Sequence, residues 1–252
     1  MSHSETVVTP EAVLITGGAS GIGLTCARQA AARGARVAIV DVNLSAAQEA
    51  AATLEGQGHL ALGADVTDAD AMRDAANQLG DLGGITGIVA AAGIVSRSPL
   101  LEIDPGKFRK VLEINVLGVQ NTISAAGVHL IKAQARGSVV VLGSAAAFTG
   151  GGLMGNGAYA TSKAALIGLV RGYARELAPH GVRVNMVAPG ATETPMTDVL
   201  NDTDRDRIAG MSLLGRLSKP EEIASAISFL LDPTVGTITG QILHVNGGVV
   251  FG

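Results

Sequence analysis

The chain of 252 residues has no tryptophan, two tyrosines, four phenylalanines and one cysteine. With aromatics at 2% and apolar residues at 47%, its core has to be assembled from Ala, Val, Ile and Leu. The single cysteine, Cys26, excludes an internal disulfide and fits a reducing, cytoplasmic setting. It stands among alanines in a helical stretch, where a small core residue is expected. Positive charge is not in excess: 18 Lys and Arg against 22 Asp and Glu leave a formal charge of −4, which argues against a nucleic-acid partner. No apolar run approaches the roughly 20 residues that span a bilayer, so no membrane role is expected. "MSHSETVVTPE" lacks the basic-then-apolar order of a secretory signal. The five histidines show no ligand spacing, so no metal is expected, and His244 reads as structural.

What the chain does have is glycine, 34 of them, and a rhythm. Short β-branched runs ("AVLIT", "RVAIV", "LALGADV", "ITGIVAAAG", "SVVVLGS", "RVNMVAPG", "QILHVNGG") alternate with Ala-rich helical stretches, one of them long, from about 105 to 133. Strands separated by helical crossovers predict parallel βαβ units, hence a single α/β, doubly wound domain over 1–252 with a seven-stranded sheet. The rhythm breaks between Pro189 and Glu222, which predicts an elaborated loop or small helical lid over about 190–218.

"TGGASGIG" joins the first strand to the first helix with the spacing Gly17-x-x-x-Gly21-x-Gly23. This is not the G-x-G-x-x-G fingerprint, but its physical job is similar. Bare backbone lets a pyrophosphate approach, and the next helix offers unpaired N–H groups. Asp41 closes the second strand, where a carboxylate can accept bonds from both hydroxyls of an adenosine ribose. A 2′-phosphate there would be repelled by about 4 kcal/mol per unit charge pair at ~4 Å and an effective dielectric of ~20, and no Arg or Lys lies within 17–22 to offset it. NAD is therefore expected over NADP; a solvated acid at a strand end is the alternative. Asp65, with the backbone of Val66, either meets an adenine amino group or caps a helix starting near Thr67.

Tyr159 and Lys163 are four residues apart in "YATSK", so on a helix they share one face. A phenol is a poor base near neutrality. A neighbouring ammonium favours the phenolate and would make the tyrosine a proton acceptor in one direction and a donor in the other. Taken with Ser144 at a strand end and the glycine turn, the pattern is informative where the pair alone is not.

The chain, from about residue 10 to 248, resembles the short-chain dehydrogenase/reductase family. The marks are "TGGASGIG", Asp41, "DV" at 65–66, "AAAG" at 90–93, Asn115 in "LEINVLG", Ser144, "YATSK", "RVNMVAPGATET" and "HVNGG". The resemblance implies a tetrad: Tyr159 as general acid/base, Ser144 on the substrate oxygen, Lys163 on the nicotinamide ribose, and Asn115 placing a water behind Lys163. It also implies cofactor contacts from Gly17, Ser20, Gly21, Ile22, Gly23, Ala92, Gly93, Pro189 and Gly190, with Thr192 and Thr194 on the carboxamide. Two departures stand out. The asparagine usual before "AG" is missing, which should cost a bond worth ~1 kcal/mol. Ser144 and Tyr159 are also slightly farther apart than the family norm, the extra length falling in "AAAFTGGGLMGNG".

Phe148, Leu153 and Met154 in that loop, with Met196, Leu200 and Met211 in the lid, are the expected substrate lining. They suggest an apolar ketone or secondary alcohol; Arg205, Arg207 and Arg216 either bind an anionic group or are solvated among aspartates. Apolar residues on more than one face of 105–133 and 158–178 are what a subunit contact requires, and the resemblance implies that these two helices pair subunits, so a homotetramer is expected. The expected function is an NAD-dependent secondary-alcohol dehydrogenase or ketone reductase. A 3-oxoacyl-thioester reductase and a non-catalytic NAD-binding regulator are the alternatives.

Overall fold

The structure, a computed structural model, describes residues 12–81, 84–132, 137–152 and 155–251. Its strands are β1 (Ala12–Thr16), β2 (Arg36–Asp41), β3 (Leu60–Gly63), β4 (Gly87–Ala90), β5 (Ser138–Leu142), β6 (Arg183–Pro189) and β7 (Ile242–Val245). They form one parallel sheet in the order β3-β2-β1-β4-β5-β6-β7. The helices are α1 (Gly21–Ala32), α2 (Leu44–Ala52), α3 (Ala69–Gly80), α4 (Pro105–Leu112), α5 (Gly118–Lys132), α6 (Ala146–Thr149), α7 (Gly157–Leu177), α8 (Asp202–Ala209) and α9 (Pro220–Leu231).

The strands read as continuous apolar runs because both faces of the sheet are covered. Alternate residues of one strand enter opposite cores. Leu14, Val40, Ile88 and Val139 pack with Met72, Ile123 and Leu166 of α3, α5 and α7. Val13, Ile15, Ile39 and Val140 pack with Ala27 of α1, Ala47 of α2 and Ile227 of α9. Cys26 lies in this second layer, where burial pushes its thiol up to about 12 and leaves it inert. Scarce aromatics are thus replaced by small side chains that let helices sit close to the sheet.

Asn43, Asp68, Asp104, Asn156 and Asn201 cap α2, α3, α4, α7 and α8 with side-chain oxygens. The long helix expected over 105–133 is interrupted by a π-helical turn, Glu113–Leu117; residue 133 lies outside the described residues. Such turns gather at functional sites because they re-aim side chains and carbonyls, and Asn115 is at the middle of this one. The segment expected as a lid holds one helix, α8, among turns. No helix among the described residues is long and apolar enough to cross a membrane. The strand order reverses between β1 and β4, and a crevice opens there beyond the carboxyl ends of the strands.

Candidate active site

That crevice is a cleft of about 800 Å³. Its floor is the glycine turn. Gly17 takes a positive φ of 64°, and a β-carbon there would stand 2.8 Å from the Ala92 Cα. A β-carbon on Gly23 would meet the Gly17 carbonyl oxygen at 2.2 Å. Only glycine satisfies either contact. Helix α1 begins at the turn without a side-chain cap from Ser20 and without an acid in its first turn, so its first N–H groups remain for an anion. Asp41 sits at the cleft edge; its Oδ1 accepts the Asn43 N–H at 3.1 Å and its Oδ2 the Ala19 N–H at 3.4 Å. Asp65 also lines the cleft, but its Oδ1 accepts from the Thr67 N–H and hydroxyl at 2.9 and 2.8 Å. The helix cap considered for it belongs instead to Asp68, because α3 starts two residues later than the sequence suggested.

At the other end, α7 carries Tyr159 and Lys163 into the cleft one turn apart. The Ser144 side chain lies close enough to the Tyr159 phenol to favour its ionised form. The Lys163 Nζ donates to the Leu142 carbonyl at 2.7 Å and lies 5.7 Å from the centre of the Tyr159 ring. Burial dominates both titrations. It lifts the phenol above its ordinary range, against the lowering by Ser144, and brings the lysine down to about 8. Burial thus outweighs the lowering influence on the phenol, and the amine, anchored on a carbonyl, is harder to charge than a free lysine.

Asn115 is fully buried and fully engaged. Its Oδ1 accepts the Ile94 N–H at 2.8 Å; its amide donates to the Ile94 carbonyl at 2.9 Å and to the Ser162 Oγ at 3.0 Å. Ser162 in turn donates to the Tyr159 carbonyl at 2.7 Å. The side chain that ties the loop after β4 to α7 is thus Asn115, with Thr16 accepting the Ala92 N–H at 3.4 Å. This answers the missing family asparagine: the loop is pinned from two other elements.

The cleft also brings together Ser20, Gly21, Ile22, Val66, Ala92, Gly93, Pro189, Gly190, Thr192, Thr194 and Met196. It does not bring in Phe148, Leu200 or Met211. Phe148 packs on His244 with ring centres 4.6 Å apart. Leu200 packs against the small cluster of Ala145, Ile208 and Leu217, and Met211 is an exposed neighbour of Arg207. Packing partners outside the cleft hold Phe148 and Leu200 away from it, which sequence proximity could not reveal. Leu153 and Met154 lie outside the described residues. Of the lid arginines, Arg216 grips Glu222 with two hydrogen bonds, at 2.8 and 2.7 Å, and Arg207 faces Asp204 at 3.7 Å.

Among the polar side chains that line the cleft, two escaped the sequence reading. Thr197, 2% exposed, accepts the Thr194 N–H at 3.0 Å and reaches the Thr192 carbonyl at 3.1 Å, which fixes the turn bearing both threonines. Its sign was the repeated threonine in "TETPMT". Lys110 of α4 is the other; a charge on a surface helix carries no sign of where it points.

A family model described as "Enoyl-(Acyl carrier protein) reductase" matches residues 17–250. The (3R)-3-hydroxyacyl-CoA dehydrogenase of Canis lupus familiaris is 35% identical over 247 residues, covering 94% of this chain and 95% of that one. The chain belongs to the short-chain dehydrogenase/reductase family. Another relative in the family, cis-4-hydroxycyclohexanecarboxylate dehydrogenase of Sinomonas cyclohexanicum, is 37% identical over 240 residues, 93% of this chain and 94% of its own. A short-chain type dehydrogenase/reductase from Mycobacterium marinum superposes with a TM-score of 0.91 at 31% identity, covering 98% of each chain. Short-chain dehydrogenases/reductases are oxidoreductases that typically use a nicotinamide cofactor. The side-chain-free cradle at Gly17 and Gly23, the uncapped start of α1 and the carboxylate of Asp41 fit such a group.

Proposed function

We propose that this short-chain dehydrogenase/reductase is NAD(H)-dependent and interconverts a secondary alcohol and a ketone. The reading rests on one observation: Tyr159, Ser144 and Lys163 share a single cleft with the glycine turn and Asp41. A bound nicotinamide dinucleotide would supply or accept the hydride. Gly17, Gly21 and Gly23 would give its phosphates room, and Asp41 would take the ribose hydroxyls and repel a 2′-phosphate. Asp65 and Val66 would edge the adenine, and Thr192 and Thr194, held by Thr197, would orient the carboxamide.

Ser144 holds the substrate oxygen beside the Tyr159 hydroxyl. In reduction the phenol gives that oxygen its proton, a step that suits a group kept protonated by burial. In oxidation the tyrosine must take up the proton as its phenolate, a form that needs positive charge nearby; Lys163, with a pKa of about 8, still carries that charge at neutral pH. Lys163 then passes the proton outward past the π-helical turn at Asn115.

The relative from Canis lupus familiaris supports a second reading, a 3-hydroxyacyl or 3-oxoacyl thioester as substrate. The relative from Sinomonas cyclohexanicum supports a cyclic hydroxy acid. A panel of alcohols, ketones and acyl thioesters followed by NADH absorbance separates them. A strong preference for NADPH would overturn the role given to Asp41. Assembly as a homotetramer is part of the proposal, supported by Leu117 and Val128 exposed at 53% and 46% and by open space over Gly168 and Gly172 of α7. Light scattering on the purified chain tests it. A reducing cytoplasm remains the setting we propose.

A further inference from the structure

Two cations line the cleft among the described residues, Lys163 and Lys110. Lys163 is 4% exposed and anchored on a carbonyl. Lys110 is exposed, and no hydrogen bond or ion pair reaches its ammonium among the described residues. Nor is it needed to cap its helix. The Lys110 and Arg109 carbonyls both accept from the Glu113 N–H, and the chain continues through the π-helical turn into α5.

Lys110 and Ile114, on either side of the start of the π-helical turn, both line the cleft. Ile114 lines the cleft, and a β-carbon on Gly118 would meet Val66 Cγ2 at 2.5 Å. Asn121, on the next turn, donates to the Val66 carbonyl at 2.9 Å. The helix that continues from Lys110 thus packs on Val66, at the wall of the cleft that also carries Asp65. Besides the two lysines, the charged groups lining the cleft are the carboxylates Asp41 and Asp65, on a chain of net charge −4. The glycine turn contributes no side-chain cation. A ligand bearing two phosphates meets like charge there unless something offsets it.

We propose that Lys110 is the cation that offsets Asp41 and Asp65 in the dinucleotide site, supplying through space the positive charge that the glycine turn lacks. This rests on the functional reading above and adds a residue to it. An exposed ammonium acts by screened attraction, so its effect is modest and salt-dependent.

The test is a fluorescence titration of NADH into the wild type, Lys110→Gln and Arg109→Gln, at low salt and at roughly 0.5 M salt. Lys110→Gln should weaken NADH about three- to five-fold at low salt, weaken ADP-ribose in parallel, and converge on the wild type at high salt. Arg109→Gln, at a neighbouring position that does not line the cleft, should bind as the wild type does. Equal affinities for Lys110→Gln and the wild type would overturn the inference, as would an equal loss in Arg109→Gln, which would reveal only a general field. A wild type that binds NADPH tightly and not NADH would overturn the Asp41 reading while leaving Lys110 to be judged on NADPH. A wild type that binds no dinucleotide overturns both.

Discussion

Around the glycine turn, backbone meets backbone with no slack: Gly23 rests on the Gly17 carbonyl, and Gly17 on Ala92. In the loop after α6, Gly150 and Gly152 adopt positive φ with nothing within 4 Å of where a β-carbon would stand. The segment through α8 leaves Val199, Leu213 and Leu214 exposed at 65%, 75% and 66%. The glycine turn is a fixed mould, while the loop after α6 and the segment through α8 are permissive. A mould has to fit an invariant ligand, and few residue types can make it. A permissive segment can carry many apolar residues, and packing partners decide which of them face inward.

Several substitutions would break or sharpen that contrast. Tyr159→Phe should lower kcat by about 10²–10⁴ while NADH still binds; unchanged turnover of any accepted substrate would remove the phenol from the chemistry. Gly23→Ala forces a β-carbon onto a backbone oxygen and should abolish measurable NADH binding in a folded protein, as judged by circular dichroism. Binding at wild-type strength would mean the turn is not a mould.

Lys163 tests the cost of burying the catalytic end. Its pKa falls from an ordinary 10.5 to about 8 on folding, a penalty of about 3 kcal/mol. Below pH 8 both states are protonated and the full penalty stands. Between pH 8 and 10.5 the folded protein loses the proton first, so rising pH favours folding. Tyr159, raised by burial, works the opposite way only above pH 10. In denaturant melts, the stability of the wild type relative to Lys163→Met should therefore rise from pH 8 to 10, Tyr159 cancelling between them. Parallel curves would mean the amine is not desolvated.

Smaller effects follow. Asp41→Asn should raise the NADPH-to-NADH ratio of kcat/KM about ten-fold, a fraction of the unscreened repulsion because the carboxylate sits at the cleft edge. Gly150→Ala should cost only about 1–2 kcal/mol for its left-handed backbone and leave NADH binding untouched. A loss of binding there would dissolve the contrast between the two regions.

The sheet was legible residue by residue: β1, β2 and β5 begin where "AVLIT", "RVAIV" and "SVVVLGS" begin, because buried parallel strands must be continuous apolar runs. The mould was legible for a related reason, since only glycine permits those approaches. The π-helical turn was not, because "LEINVLG" is helical by composition and the extra residue per turn answers to Asn115 reaching Ile94 and Ser162, contacts distant in sequence. Phe148 illustrates the same limit. Its apolar character was plain, but its preference for His244 depended on β7 arriving beside it.

By itself the sequence determined which residues could carry a proton, clear room for phosphates or stay in the core, since these depend on side-chain chemistry and short-range periodicity. Only the tertiary structure decided the electrostatic state of those groups. Desolvation is a property of everything packed around an atom, and it raised the phenol and lowered the amine that the pairing alone would have left charged and acidic.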